Sequence, residues 1–317
     1  MNYEINSNKK KKILIIFSIL LIATLAISMI GTVNAAEKTI TPTSSGGLQK
    51  AVDRATDGDI IYLKKGVYKG KNNTEIFIDK NISIIGKDSK VVMDGKGKSF
   101  LISVHNDTKV FLKGIKFKNG YDIKYSGAAV YSKGFVTINS CTFTNNKALT
   151  GGALYSERKM TVINCTFKNN KAKLGGAIDA REKLTVINST FINNQVPKKE
   201  TFYEINYGGA IYCERELIVT SCTFNLNKAP YGGAIYSFGN STLSNNTFNK
   251  NQAIKNGGAI CNEKQPMKIV NSNFTNNIVG NEYKAIYYFF TKPIMKNVKI
   301  TPKEKTKVEN FWVSYLE

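Results

Sequence analysis

The chain has one histidine, 23 acidic residues against 45 basic ones, and five cysteines with no CxxC pair among them. The histidine, His105, stands in an irregular stretch between Val104 and Asn106 with no recognisable nucleophile or metal partner, and reads as a loop residue. Zinc ribbons and dithiol redox sites need cysteines at short spacing, so no metal and no cofactor is expected. Cys141, Cys165 and Cys222 share one repeat position with Ser189 and Ser272, as small inward-facing side chains would; Cys213 and Cys261 also fall at repeat positions. Their odd count leaves at least one thiol free or paired between chains. The shortage of acid gives a net charge of +22, which favours anionic partners such as wall polymers and opposes self-association. No nucleic-acid motif accompanies that charge, so nucleic acid is not an expected partner.

Long apolar runs are missing too, save one. Ile13 to Ile30 follows a basic stretch, Lys9 to Lys12, and precedes the small-residue pattern Val33-Asn34-Ala35. Residues 1–36 are therefore expected to be a secretory signal peptide or, the run being 18 residues long, an N-terminal membrane anchor. Either reading places the remainder in the extracellular space or at the cell surface, with the membrane met only through this segment.

Within the rest, no stretch shows helical periodicity over ten residues and no leucine-and-asparagine consensus occurs, which excludes helical solenoids and leucine-rich repeats. What is present is repetition. GGALYSERKMTVINCTFKNN, from Gly151, is followed by GGAIDAREKLTVINSTFINN, from Gly175. Phe143, Phe167, Phe191, Phe224, Phe248 and Phe274 recur at intervals of 24, 24, 33, 24 and 26 residues, the longest holding an inserted loop near Pro197 to Asn206. Three residues after each comes asparagine: Asn146, Asn170, Asn194, Asn227, Asn251 and Asn277.

Positions five and seven before each phenylalanine are mostly aliphatic and share one parity, as the buried residues of a strand do; the phenylalanine has the other parity. A change of face must lie between, where Asn164, Asn188, Asn245 and Asn271 can adopt the left-handed conformation of a tight corner. A third segment, GGAIY, directs Val130, Leu154, Ile178, Ile211, Ile235 and Ile260 inward. Three short strands and three corners per repeat predict an all-β fold, a single right-handed parallel β-helix of about ten coils over 59–300. Coils stacked about 4.8 Å apart would run on the order of 48 Å and align the phenylalanines and asparagines in ladders. Ahead of it, 37–58 carries Leu48, Ala51, Val52 and Ala55 on one face of a short capping helix started by Ser44 or Ser45. Residues 301–317, with Phe311, Trp312 and Tyr315, are expected to form a C-terminal tail or cap.

The GGA[IL] segment followed by FxxN resembles the polymorphic outer-membrane protein repeat and the adhesin-like β-helix proteins of methanogenic archaea. AVDRATDGDIIYLKKGVY, with NISIIGKDSKVVMDGKGKS after it, is similar to the N-terminal segment of pectin-lyase-like β-helices. The resemblance spans roughly Gly46 to Ile300 and implies a fold that hosts lyases, hydrolases and passive binders alike.

Enzymes of that fold are implied to act through outer-face acid clusters, but the ladder following the GGAI isoleucine reads Tyr131, Tyr155, Asp179, Tyr212, Tyr236, Cys261 and Tyr287. Its single carboxylate, Asp179, with Arg181 two residues on, reads as a surface ion pair, and Glu157, Glu214 and Glu263 form an interrupted acidic row. No catalytic residue is assigned. Tyr131, Tyr155, Tyr212, Tyr236 and Tyr287 are the candidate ligand-binding residues, because flat rings with a hydroxyl, spaced along a rigid sheet, suit sugars or a partner surface. Replacing Tyr212 and Tyr236 with serine is then expected to abolish binding without unfolding. Tyrosine stacking on its own kind in a strand is the plainer reading of the same ladder. Eight N-glycosylation sequons, several of them by-products of the NxTF repeat, fit an exported chain.

The leading expectation is an adhesin-like cell-surface protein, more a binder than an enzyme. Its partner would be a polysaccharide, a cell-wall polymer or another cell. A polysaccharide lyase or glycoside hydrolase using loop acids such as Glu200 and Glu204 is the alternative, and a passive structural surface protein the third.

Overall fold

The computed structural model describes residues 35–197 and 206–302. Residues 1–34 of the signal or anchor segment, Glu200 and Glu204 of the inserted loop, and 303–317 of the tail, with Phe311, Trp312 and Tyr315, lie outside the described residues. The described chain is all-β apart from one short helix.

Each complete coil contributes one strand to each of three parallel sheets, which have nine, eleven and ten strands among the described residues and are called here the first, second and third sheets. In one coil these strands are Leu154–Ser156, Met160–Ile163 and Thr166–Lys168. Like pairs with like: Leu154 with Ile178, Val162 with Val186, Phe167 with Phe191. Register is tightly held because a one-residue slip would turn every inward aliphatic side chain out to water. The corner after the second strand is made by Asn164, Asn188, Asn245 and Asn271, all at φ between 48° and 57°. At the corner preceding the first strand, Gly175 has φ +54°, and a Cβ on Gly176 would lie 2.2 Å from the Gly209 carbonyl oxygen of the next coil. The glycine pair is thus needed for two different reasons, conformation and close approach.

Inside, seven phenylalanines from Phe117 to Phe274 stack with centroids 4.7–5.0 Å apart and planes within 3–6° of parallel. Beside them each buried asparagine donates Nδ2 to the Oδ1 of the next, at 2.9–3.0 Å, from Asn146 through Asn277. All five cysteines are buried thiols. Burial pushes Cys141 and Cys222 up to about 12, so these sulfurs are packing groups rather than nucleophiles.

The helix α1, Gly47–Asp53, lies on the strand Ile76–Ile78, the first of the first sheet. Its start differs from the expected serine cap. Gly46, at φ 80°, precedes it, and Ser44 Oγ instead accepts from the Thr41 N–H. The free N–H groups of Leu48 and Gln49 are taken by Asn73 Oδ1 and the Asn72 carbonyl of the neighbouring coil. The Gln49 side chain completes the cover: its amide accepts from the Phe77 N–H at 2.8 Å and donates to the Phe77 carbonyl at 3.1 Å, as a further strand would.

The repeat has more than the three expected segments. A ridge of short parallel pairings runs outside the first sheet, from Tyr121–Ser126 with Lys147–Thr150 to Lys228–Tyr231 with Gln252–Asn256. Single bridges through Lys171, Leu174, Gln195 and Tyr207 join its two ends.

Candidate ligand-binding cleft

The outward positions of the first sheet form one in-register column. It runs Phe77, Ser103, Tyr131, Tyr155 and then Asp179, Tyr212, Tyr236, Cys261, Tyr287. The ridge divides that column into a covered and an open part.

In the covered part, Tyr207 stacks on Tyr236 with 4.0 Å between centroids, and Tyr212, Tyr236 and Cys261 form a second apolar cluster with Leu174 and Tyr231 packed on it. Tyr236 retains 1% exposure and Tyr212 8%. The expectation that these two tyrosines face a ligand is therefore corrected. They are outside the solenoid core but roofed by the ridge, and their replacement by serine would remove packing as well as rings. Tyr287, near the far end, is half-buried beside this cluster.

The ion pair is likewise buried rather than superficial. Asp179 is fully buried; Arg181 donates to its Oδ2 at 2.9 Å and to Glu214 Oε2 at 3.2 Å. Burial pushes the Asp179 carboxyl up to about 6 against the pull of Arg181. The guanidinium lies over Tyr155 on one side and Tyr212 on the other, at 5.7 and 5.4 Å, occupying the place where Asp179 interrupts the run of rings.

In the open part, a cavity of about 660 Å³ lies over Ser103, walled by Phe77, Phe100, Tyr125 and Tyr131. Phe77 meets Phe100 edge to face at 5.6 Å. Tyr125 stands 69% exposed on an irregular stretch of the ridge, where Asp122 Oδ1 accepts the N–H groups of Lys124 and Tyr125. Tyr131 is fixed from behind: its ring stacks on Tyr155 at 5.3 Å and its hydroxyl donates to Glu157 Oε1 at 3.0 Å. Burial, then Glu157, raise its phenol pKa, so the hydroxyl stays a donor.

His105 is the exposed loop residue expected, just past the strand Ile102–Val104, but its place beside the cleft was not signalled by the sequence. Its N–H bonds the Ile78 carbonyl and the Lys133 N–H bonds the Val104 carbonyl, so Asp79, His105 and Lys133 sit in successive coils on the cleft rim. Sequence reasoning also missed Phe77, Phe100, Ser103 and Tyr125. Counting back from Tyr131 by 28 and then 26 residues reaches Ser103 and Phe77, a signal that the 24-residue spacing hides. Among the described residues no group of three or more His, Cys, Asp or Glu side chains is arranged to hold a metal ion. Nor is any described helix long and apolar enough to cross a membrane.

A stacked three-sheet solenoid with an aromatic outer cleft defines the class. The chain belongs to the family described as right handed beta helix region, which matches residues 100–282. Among solved structures, it is similar to a mannuronic acid specific polysaccharide family 6 lyase from human gut microbiota. The two chains are 10% identical, with 84% of this chain and 83% of the other covered at a TM-score of 0.38. No curated protein matches the chain.

Proposed function

We propose that the chain is an exported, adhesin-like β-helix that binds saccharides of a cell wall or of another cell through the outer face of its first sheet. The observation supporting this is the cleft over Ser103, where exposed aromatic rings and polar rim groups converge on a rigid sheet. The basic N-terminal segment with its apolar run supports export, and the GGA[IL]/FxxN repeats support kinship with archaeal adhesin-like proteins. A net charge of +22 adds attraction to anionic surfaces. The test is retention of the purified chain on immobilised oligosaccharides and on whole cells at physiological salt. Retention that oligosaccharide competes away is expected; retention on neither overturns the proposal.

One observation favours a second reading, a polysaccharide lyase or hydrolase: Asp79, His105, Asp122 and Lys133 are titratable groups lining the same cleft. Release of unsaturated or reducing ends from acidic polysaccharides, assayed with and without calcium, separates turnover from binding.

A further inference from the structure

The outward column of the first sheet carries three interruptions in its run of aromatic rings, at Ser103, Asp179 and Cys261, and they are resolved differently. Cys261 is fully buried in the second apolar cluster under the ridge. At Asp179 the gap is one ring wide, and the flat guanidinium of Arg181 fills it, facing Tyr155 and Tyr212. At Ser103 the gap is again one ring wide, between Phe77 and Tyr131, and there the cavity opens to solvent. Two strand spacings, on the order of 9.6 Å, separate the flanking backbones. A planar guest between two rings needs two contacts of about 3.5–4.0 Å each, so the surplus of roughly 2 Å suits a puckered ring.

Tyr131 is pre-organised for this. One face is occupied by Tyr155, and Glu157 holds the hydroxyl, leaving the opposite face toward the Ser103 coil. Its plane is 3° from that of Tyr155 in the next coil, so the rings lie across the direction in which coils stack. A guest parallel to them enters edge-on from solvent and stops against the strand at Ser103, as a chain end does and a chain running along the solenoid does not. The Tyr131 face on one side and the Phe77 side chain on the other, with Ser103, Asn106, Lys133 and Asp79 at the edges, match the C–H faces and equatorial hydroxyls of a sugar.

Building on the saccharide-binding reading, we propose that the gap over Ser103 is a subsite for a single terminal pyranose of a surface glycan. The test uses full-length protein on an array of oligosaccharides with neutral, acidic and amino-sugar termini, followed by competition with the methyl pyranoside of the preferred terminus. Ser103→Tyr would complete the column with the residue found at 131 and 155. It is expected to melt like wild type and bind at least tenfold more weakly. Tyr125→Ala, removing an exposed wall, provides the same reading should Ser103→Tyr alter melting, with at least a tenfold loss expected. Wild-type retention that survives both Ser103→Tyr and Tyr125→Ala, or that the methyl pyranoside fails to compete, overturns the subsite while leaving the broader reading intact. A wild-type chain that binds no glycan overturns both.

Discussion

At the scale of single residues, the buried asparagines do more for the fold than their polarity suggests. Asn170 Oδ1 accepts from both the N–H and the Nδ2 of Asn146, while its own Nδ2 donates to the Phe143 carbonyl and to Asn194 Oδ1. An alanine there strands two donors in a site closed to water. At roughly 1–3 kcal/mol per unsatisfied group, Asn170→Ala should lose about 2–6 kcal/mol, read as a lower urea midpoint with an unchanged slope. Asp179 carries a different signature. Its carboxyl is pushed up to about 6, above the ordinary 3.8, so the folded state holds the proton more tightly than the unfolded one. That contribution to stability is fully present below the unfolded value and is lost as pH rises through the folded one, over roughly pH 4 to 6. Asp179→Asn should remove this slope relative to wild type in paired denaturation series across that window; two parallel pH profiles would contradict the assignment.

At the scale of elements, both ends and corners are built by particular side chains. Gln49 acts as a one-residue strand on the exposed edge of Ile76–Ile78, and Gln49→Ala removes both of its bonds to Phe77. A loss of about 1–2 kcal/mol is expected, with faster amide exchange confined to that strand and α1. The repeat segments themselves were legible in sequence for a physical reason. A spacing of 24 residues, lengthened to 33 by the inserted loop and once to 26, lets like positions be aligned on the FxxN motif, so the inward aliphatics, the phenylalanine stack and the Asn164-type corners follow from counting. The cleft was not legible, for two reasons. The coils that form it are 26 and 28 residues long, which breaks the count between Phe77, Ser103 and Tyr131. The ridge that covers Tyr212 and Tyr236 repeats Lys147-Ala148, Lys171-Ala172, Gln195-Val196, Lys228-Ala229 and Gln252-Ala253 after the ladder asparagines but pairs through irregular and single bridges, so a column read as outward gave no sign of where it is roofed. The start of α1 escaped for a similar reason, because its N–H partners come from Asn72 and Asn73 of the next coil rather than from a local cap.

At the scale of the whole molecule, among the described residues each strand of the three sheets pairs only with strands of the adjacent coils. Stability is then close to a sum of coil and interface contributions, and coil number is adjustable provided register is kept. Deleting residues 209–232 joins Gly208 to Gly233, bringing Phe191 against Phe248 and Asn194 against Asn251 with no change of phase. The shortened chain should remain a cooperatively folding β-helix, about 4.8 Å shorter in solution scattering and somewhat lower in its melting temperature. A deletion of 12 residues from the same place puts inward aliphatics opposite a corner and should abolish folding. The 209–232 deletion lies well beyond the cleft residues 77–133, so glycan retention should survive it within about threefold, the spread expected of indirect effects. If the in-phase deletion folds but loses binding, the recognition surface must extend along the ridge toward Tyr207 and Tyr231, rather than being confined to the gap over Ser103.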